Sequence, residues 1–231
     1  EPNHTTRQQP PVKLYPEGLP TIPLPRELPE PGGSAIAAMG GRVQGSAALD
    51  LAQLARLLYL SAGVVRTSEG RSGTILFRAA GSAGGRFPLE IYAVVPEGTV
   101  DLPPGVHAYR PVEHALLQVG PPPAGAMPAL VVTGVPWRTG WRYRERGYRH
   151  VFWDAGTMLS QQLALAASAG LPAQLYTGFP DLEVRDLVGA DGIHELPVAV
   201  LALGAGPPGW MPRRRGSPGS IDIARLQFPL V

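Results

Sequence analysis

Apolar positions in this chain fall into two periods. Leu49, Leu51, Leu54, Leu57, Leu58 and Tyr59 recur at helical spacing after Ser46, and Gly63 stops the run, which predicts a helix. Leu89–Val95 is a continuous apolar run around one carboxylate and reads as a strand. Pro103, Pro104 and Gly105 mark a turn, and 106–109 fits a second short strand. Three prolines at 121–123 break the chain before a buried strand at 129–133. Residues 151–169 are apolar on nearly every side, which predicts a deeply buried helix with Gly170 at its C-cap position. Asp154 at its head reads as an N-terminal cap that complements the helix dipole. Asp181–Val188 suits a short helix, and 198–203 is the last core strand, ending at Gly204.

Two stretches lack either period. Residues 66–86 are rich in Gly, Ser and Arg and read as a loop with functional potential. Residues 1–34 hold prolines at 10, 11, 16, 20, 23, 25, 29 and 31, which predicts an extended arm. Such an arm is ordered by lying along a surface, often that of a partner subunit. Residues 35–231 then form a single domain, with Arg213, Arg214 and Arg215 in a solvated tail. Strands separated by helices over one core, without an internal repeat, give an α+β fold with a central sheet packed by helices.

Composition narrows the function. The chain has 231 residues, 44% of them hydrophobic and 16% charged, with 29 glycines and 27 prolines, so turns are frequent. A net charge of +2 argues against a general nucleic-acid binder. The absence of cysteine excludes disulfides, thiolate nucleophiles and Cys-ligated metals. His107, His114, His150 and His194 lack metal-ligand spacing, so no metal site is expected. No run reaches the length of a membrane span, and the first residues lack the basic and apolar regions of a secretory signal, so a cytoplasmic protein is expected.

The densest chemistry lies at 141–149, which holds four arginines, two tyrosines and a tryptophan around a single carboxylate, Glu145. Guanidinium groups with aromatic rings bind phosphates and flat conjugated molecules. Arg144, Arg146 and Arg149 could equally pair with Glu145, Asp154 and solvent. Tyr143 is either a structural aromatic or a phenol that transfers a proton or orients a substrate.

Several segments in register resemble one family. Lys13-Leu14-Tyr15-Pro16 and Ile22-Pro23-Leu24-Pro25 resemble its arm, and the stretch from Arg78 through Ser82-Ala83-Gly84 to Tyr92 resembles its flavin loop and following strand. Gly105-Val106-His107-Ala108-Tyr109 resembles its Gly-x-Tyr-x-Tyr strand, and Arg138-Thr139 through Asp154-Ala155-Gly156 its most characteristic block. Gly178-Phe179-Pro180-Asp181, Leu187-Val188-Gly189 and Glu195-Leu196-Pro197 follow in the family order. On these residues the chain resembles the nitroreductase-like FMN fold, and within it the SagB-type dehydrogenases, which oxidise thiazolines and oxazolines to thiazoles and oxazoles in peptide natural products.

The resemblance implies FMN, a modified peptide as substrate, and a dimer with a copy or a homologous chain. It implies backbone contacts to the isoalloxazine from Ser82, Ala83 and Gly84, a backbone N–H near N5 from Gly178, and flavin or phosphate contacts from Arg78. Where the family has a Lys-Tyr catalytic pair the chain has Arg142-Tyr143, and arginine is a poor general base. Where it has an arginine-rich phosphate segment, only Arg42 remains, so FMN is expected to be weakly bound or lost unless one of Arg213 to Arg215 replaces the missing ligands. The proline before Ser82 is Gly81, and the 120–127 link is too short for a helix the family carries there. Two functions follow: an azoline dehydrogenase, or a non-catalytic nitroreductase-like subunit serving as scaffold or substrate-binding partner.

Overall fold

Buried β-branched runs build the centre of the molecule. A computed structural model describes residues 13–30, 33–41, 45–70, 73–125 and 127–211. In chain order the elements are β1 (Thr21–Pro23), α1 (Ala35–Met39), α2 (Leu51–Ala62), β2 (Val64–Gly70), β3 (Gly73–Arg78), β4 (Leu89–Val95), β5 (Gly105–Arg110), β6 (Ala115–Gly120), β7 (Ala129–Gly134), α3 (Pro136–Tyr143), α4 (Gly147–Ser168), β8 (Gln174–Tyr176), α5 (Asp181–Val188) and β9 (Leu196–Ala202). Among the described residues, seven strands form a sheet in the order β1-β6-β5-β4-β7-β9-β8, every pairing antiparallel. The α+β reading holds.

Strand alternation decides the two layers. On β4, Leu89, Ile91, Ala93 and Val95 join the larger core with α2 and α4. Tyr92 and Val94 face the other way, into a smaller core with Val184 and Val188 of α5. Full burial on both faces explains why this strand reads as a continuous apolar run rather than an alternating one.

The helices start and stop for local reasons. The Asp50 carboxylate accepts from Gln53 N–H at 2.7 Å and caps α2. Gly189 takes a left-handed conformation to end α5, with the bounds the sequence predicts. α4 starts four residues earlier than predicted and is not apolar all round. It buries one stripe, including Val151, Asp154, Ala155, Met158, Leu159 and Gln162, and leaves Tyr148, Phe152 and Trp153 exposed. A Cβ on Gly147 would overlap the backbone of Gly140, so glycine lets α3 and α4 meet.

Two expectations change. Most of 66–86 is not loop: β2 and β3 form a hairpin over 64–78 that stands as a separate two-stranded sheet. Arg66, Thr67, Ser68, Glu69 and Thr74 are exposed on it alongside Val65 and Ile75, a mixture that hides the strand signal in composition. The described part of the arm lies along its own chain. β1 pairs with β6, Leu24 is buried, and Lys13 bonds both Tyr92 and Glu195. Glu195 also accepts from Tyr92 at 2.7 Å and from Thr133 at 2.5 Å, so the arm is tied to a buried carboxylate. Arg213 to Arg215 lie outside the described residues. No helix among those described is long and apolar enough to cross a membrane.

Candidate functional site

The end of β3, the 79–88 loop and the start of β4 meet the end of α2 and the middle of α4 around a small cleft of about 30 Å³. Arg78, Ser82, Glu90, Tyr109 and Asp154 supply its polar groups. The loop cannot be built from ordinary backbone. Gly84 and Gly85 have φ of 59° and 63°, and Phe87, without a glycine's freedom, has φ 46°. The two glycines adopt this region freely, and Phe87 carries the strain that the surroundings must hold.

Asp154 does much of the holding. It stands inside α4, two turns from its start, and is no cap, which corrects the sequence reading. Its carboxylate accepts from Ser82 Oγ at 2.5 Å and from Ala83 N–H at 3.2 Å. Ser82 Oγ in turn accepts from Phe87 N–H at 2.8 Å. Arg86 closes the other side by donating to the Gly84 carbonyl at 3.0 Å, with its guanidinium 5.1 Å from the Trp141 ring.

Arg78 is the reactive electrostatic feature. Its natural counter-ion would be Glu90, but Arg138 takes that carboxylate at 2.5 Å and also bonds the Phe87 carbonyl. Among the described residues the Arg78 guanidinium makes no hydrogen bond or ion pair and rests on the Phe87 ring at 4.8 Å. Burial pushes its pKa down, Glu90 pulls it back and Arg138 opposes that pull. A desolvated guanidinium facing a cleft is a site for an anion or an electron-rich ring edge. Tyr109, on the same cleft, bonds His114 Nδ1 at 2.9 Å, and burial raises its pKa so that the phenol stays neutral.

The 141–149 segment approaches the loop from outside the cleft. Tyr143 is half-buried and packs on Gly84 so closely that a Cβ there would overlap its hydroxyl, while the Arg142 stem lies alongside. The Tyr143 ring sits 4.4 Å from the His150 ring, tilted by 40°, and 5.9 Å from the Arg146 guanidinium. His150 Nε2 is buried without a hydrogen-bond partner among the described residues.

The structure therefore gathers Arg78 and Ser82 at the cleft and Ala83, Gly84, Arg142 and Tyr143 beside it. Gly178 follows β8, separated from β4 by β7 and β9, and does not line the cleft of its own chain. Arg42 lies outside the described residues. Sequence reasoning missed the fastening role of Asp154, the competition of Arg138 for Glu90, and the stacking of His150 on Tyr143. A carboxylate on the stripe of Val151, Ala155 and Met158 is the available signal for the first, because a buried charge demands a partner.

No protein-family model matches the chain. The crystal structure of a candidate nitroreductase from Anabaena variabilis superposes with a TM-score of 0.69 at 29% identity, over 87% of this chain. The fold is nitroreductase-like. The chain spans 42% of that Anabaena protein's length. A candidate nitroreductase of Methanocaldococcus jannaschii is 27% identical across 69% of this chain and 82% of its own. The nitroreductase-like fold also recurs in a chain of the E. coli microcin synthetase McbBCD complex with truncated pro-MccB17 bound, at TM-score 0.56 and 19% identity, over 88% of this chain and 81% of that one.

Proposed function

We propose that this chain is an FMN-dependent dehydrogenase of the SagB type, oxidising thiazoline or oxazoline rings in a peptide to thiazoles or oxazoles. The observation that carries the reading is the Arg78 guanidinium, without a hydrogen-bond or ion-pair partner among the described residues, at a cleft whose rim is the left-handed Gly84–Gly85 turn. The donor set suits the ring system of FMN: a cation for its carbonyl edge, and glycines that let a flat molecule approach the backbone. The microcin complex adds support, since its structure holds a peptide.

Aromatising an azoline removes a proton from carbon and a hydride equivalent, and FMN when bound supplies the hydride acceptor. The chain's own residues account for the rest. Tyr143 is the group in the 141–149 segment that can exchange a proton next to the loop. Arg142 keeps its charge and orients the peptide through a carboxylate or carbonyl. Gly178 reaches the flavin from a second chain, identical or homologous, which also covers Tyr148, Phe152 and Trp153. Light scattering should then give about twice 24.4 kDa, and a clean monomer removes this part of the reading.

One observation favours a non-catalytic subunit instead. The Ala83 backbone N–H, which the resemblance assigns to flavin, is spent on Asp154, as is the neighbouring Ser82 hydroxyl. Titration with FMN followed by visible absorbance, then incubation with an azoline-bearing peptide, separates the two. Bound flavin with azole formation supports the dehydrogenase. Bound flavin without turnover supports the subunit, and no flavin binding ends the FMN reading.

A further inference from the structure

The loop that rims the cleft is strained, and a single side chain restrains it from below. Phe87 adopts φ 46° although its side chain disfavours that region, and its N–H is held by Ser82 Oγ at 2.8 Å. The serine can fill this acceptor role in a fixed direction because its own proton is committed to Asp154 Oδ2 at 2.5 Å. The other carboxylate oxygen fixes Ala83 N–H, one residue before the left-handed Gly84. Asp154 is only 7% exposed and projects from α4, whose flanking Val151, Ala155 and Met158 are buried in the main core, so it forms a rigid post. Phe87 carries the consequence outward: its ring lies under the Arg78 guanidinium, and its carbonyl accepts from Arg138.

We infer that Asp154 is the positioning residue of this site: through Ser82 it locks Phe87 in its left-handed conformation and so sets the floor on which Arg78 presents its guanidinium to an anionic or flavin-type ligand. The inference rests on the proposed FMN reading only for the identity of the ligand. The carboxylate acts through the loop and needs no contact with substrate. Its negative charge also borders the same cleft as Arg78, so removing it makes the cleft more favourable to added electron density and moves the potential of a bound flavin upward.

The test compares Asp154→Ala, Asp154→Asn and Ser82→Ala in the full chain. Amide hydrogen exchange at Ala83 and Phe87, in protein without added ligand, reads the loop directly. Asp154→Ala should speed both amides by about tenfold or more, because both of the carboxylate's hydrogen bonds to the loop disappear together. Asparagine retains one acceptor and should fall between alanine and wild type. FMN affinity, followed by quenching of flavin fluorescence, should weaken by about tenfold or more in Asp154→Ala, and adding Ser82→Ala to it should weaken it little further, since both act on one connection. In whichever variant retains flavin, a positive shift of its midpoint potential in Asp154→Asn marks the charge, which a purely structural residue would not move. Wild-type exchange rates and wild-type FMN affinity in Asp154→Ala overturn the inference while leaving the FMN reading intact. If the wild-type protein binds no FMN, that reading fails, and the exchange rates alone decide for or against Asp154. Should Asp154→Ala not fold, Asp154→Asn and Ser82→Ala carry the same comparison.

Discussion

Replacing Gly84 by alanine tests the packing of the arginine-rich segment on the loop. The perturbation has two separable parts. Gly84 holds φ 59° and ψ 20°, where an L-residue costs about 1–2 kcal/mol. The added Cβ also overlaps the Tyr143 hydroxyl and comes within 3.3 Å of Cζ, so the ring must swing off its rotamer at a cost of about 1 kcal/mol. The sum is roughly 2–3 kcal/mol, or a fall in Tm of about 4–12 °C for a domain of this size. Thermal unfolding followed by circular dichroism measures it. Tyr143→Phe removes the overlapping oxygen and not the backbone strain. The double variant Gly84→Ala/Tyr143→Phe should therefore lie about 2–4 °C above the value expected from adding the two single effects. An unchanged Tm in Gly84→Ala, or strict additivity in the double variant, refutes the contact between Tyr143 and the loop.

Three further outcomes are expected. If the chain is a dehydrogenase, Tyr143→Phe should cut azoline turnover by about 10²-fold with flavin still bound, and Arg142→Lys should preserve or raise it, as read by azole formation. Burial lowers the pKa values of His107 and His114, so the unfolded chain binds more protons than the folded one below pH 6.5. Stability is then full above pH 6.5 and declines as pH falls through and below it, and His114→Gln should flatten part of that slope in melts taken between pH 4 and 8. Glu195→Ala leaves Lys13, Tyr92 and Thr133 without their shared acceptor and should cost about 3 kcal/mol, with the arm cleaved faster by a protease; an unchanged digestion rate refutes its role as the arm's anchor.

The sequence reveals the elements whose chemistry is one-sided. β4, β7 and β9 are legible because they are buried on both faces and read as apolar runs, and α5 because Gly189 offers the left-handed stop after its last turn. The β2–β3 hairpin escapes because most of its side chains are exposed and its apolar residues are scattered among Arg66, Thr67, Ser68, Glu69 and Thr74 without a clean alternation. β8 is short and takes its place from β9 rather than from its own three residues. At the candidate site the small residues of the Ser82–Gly85 turn are visible in sequence, as is the density of Arg142 and Tyr143. What cannot be read locally is competition. Arg138 and Arg78 lie sixty positions apart and contend for one carboxylate, and only the fold decides that Arg138 wins. The same holds for Asp154, whose partners are about seventy residues away.

Lys13 is the sequence's one lysine, and it is clasped by Tyr92 and Glu195 beneath the sheet. A reagent selective for ε-amines thus has a single target in this protein, and that target is protected only while the arm is seated. The rate of its acylation becomes a clock for arm opening, readable by mass alone and without introducing any new residue. Because the adduct removes the charge that Glu195 grips, each labelled molecule also records an arm that cannot close in the same way again.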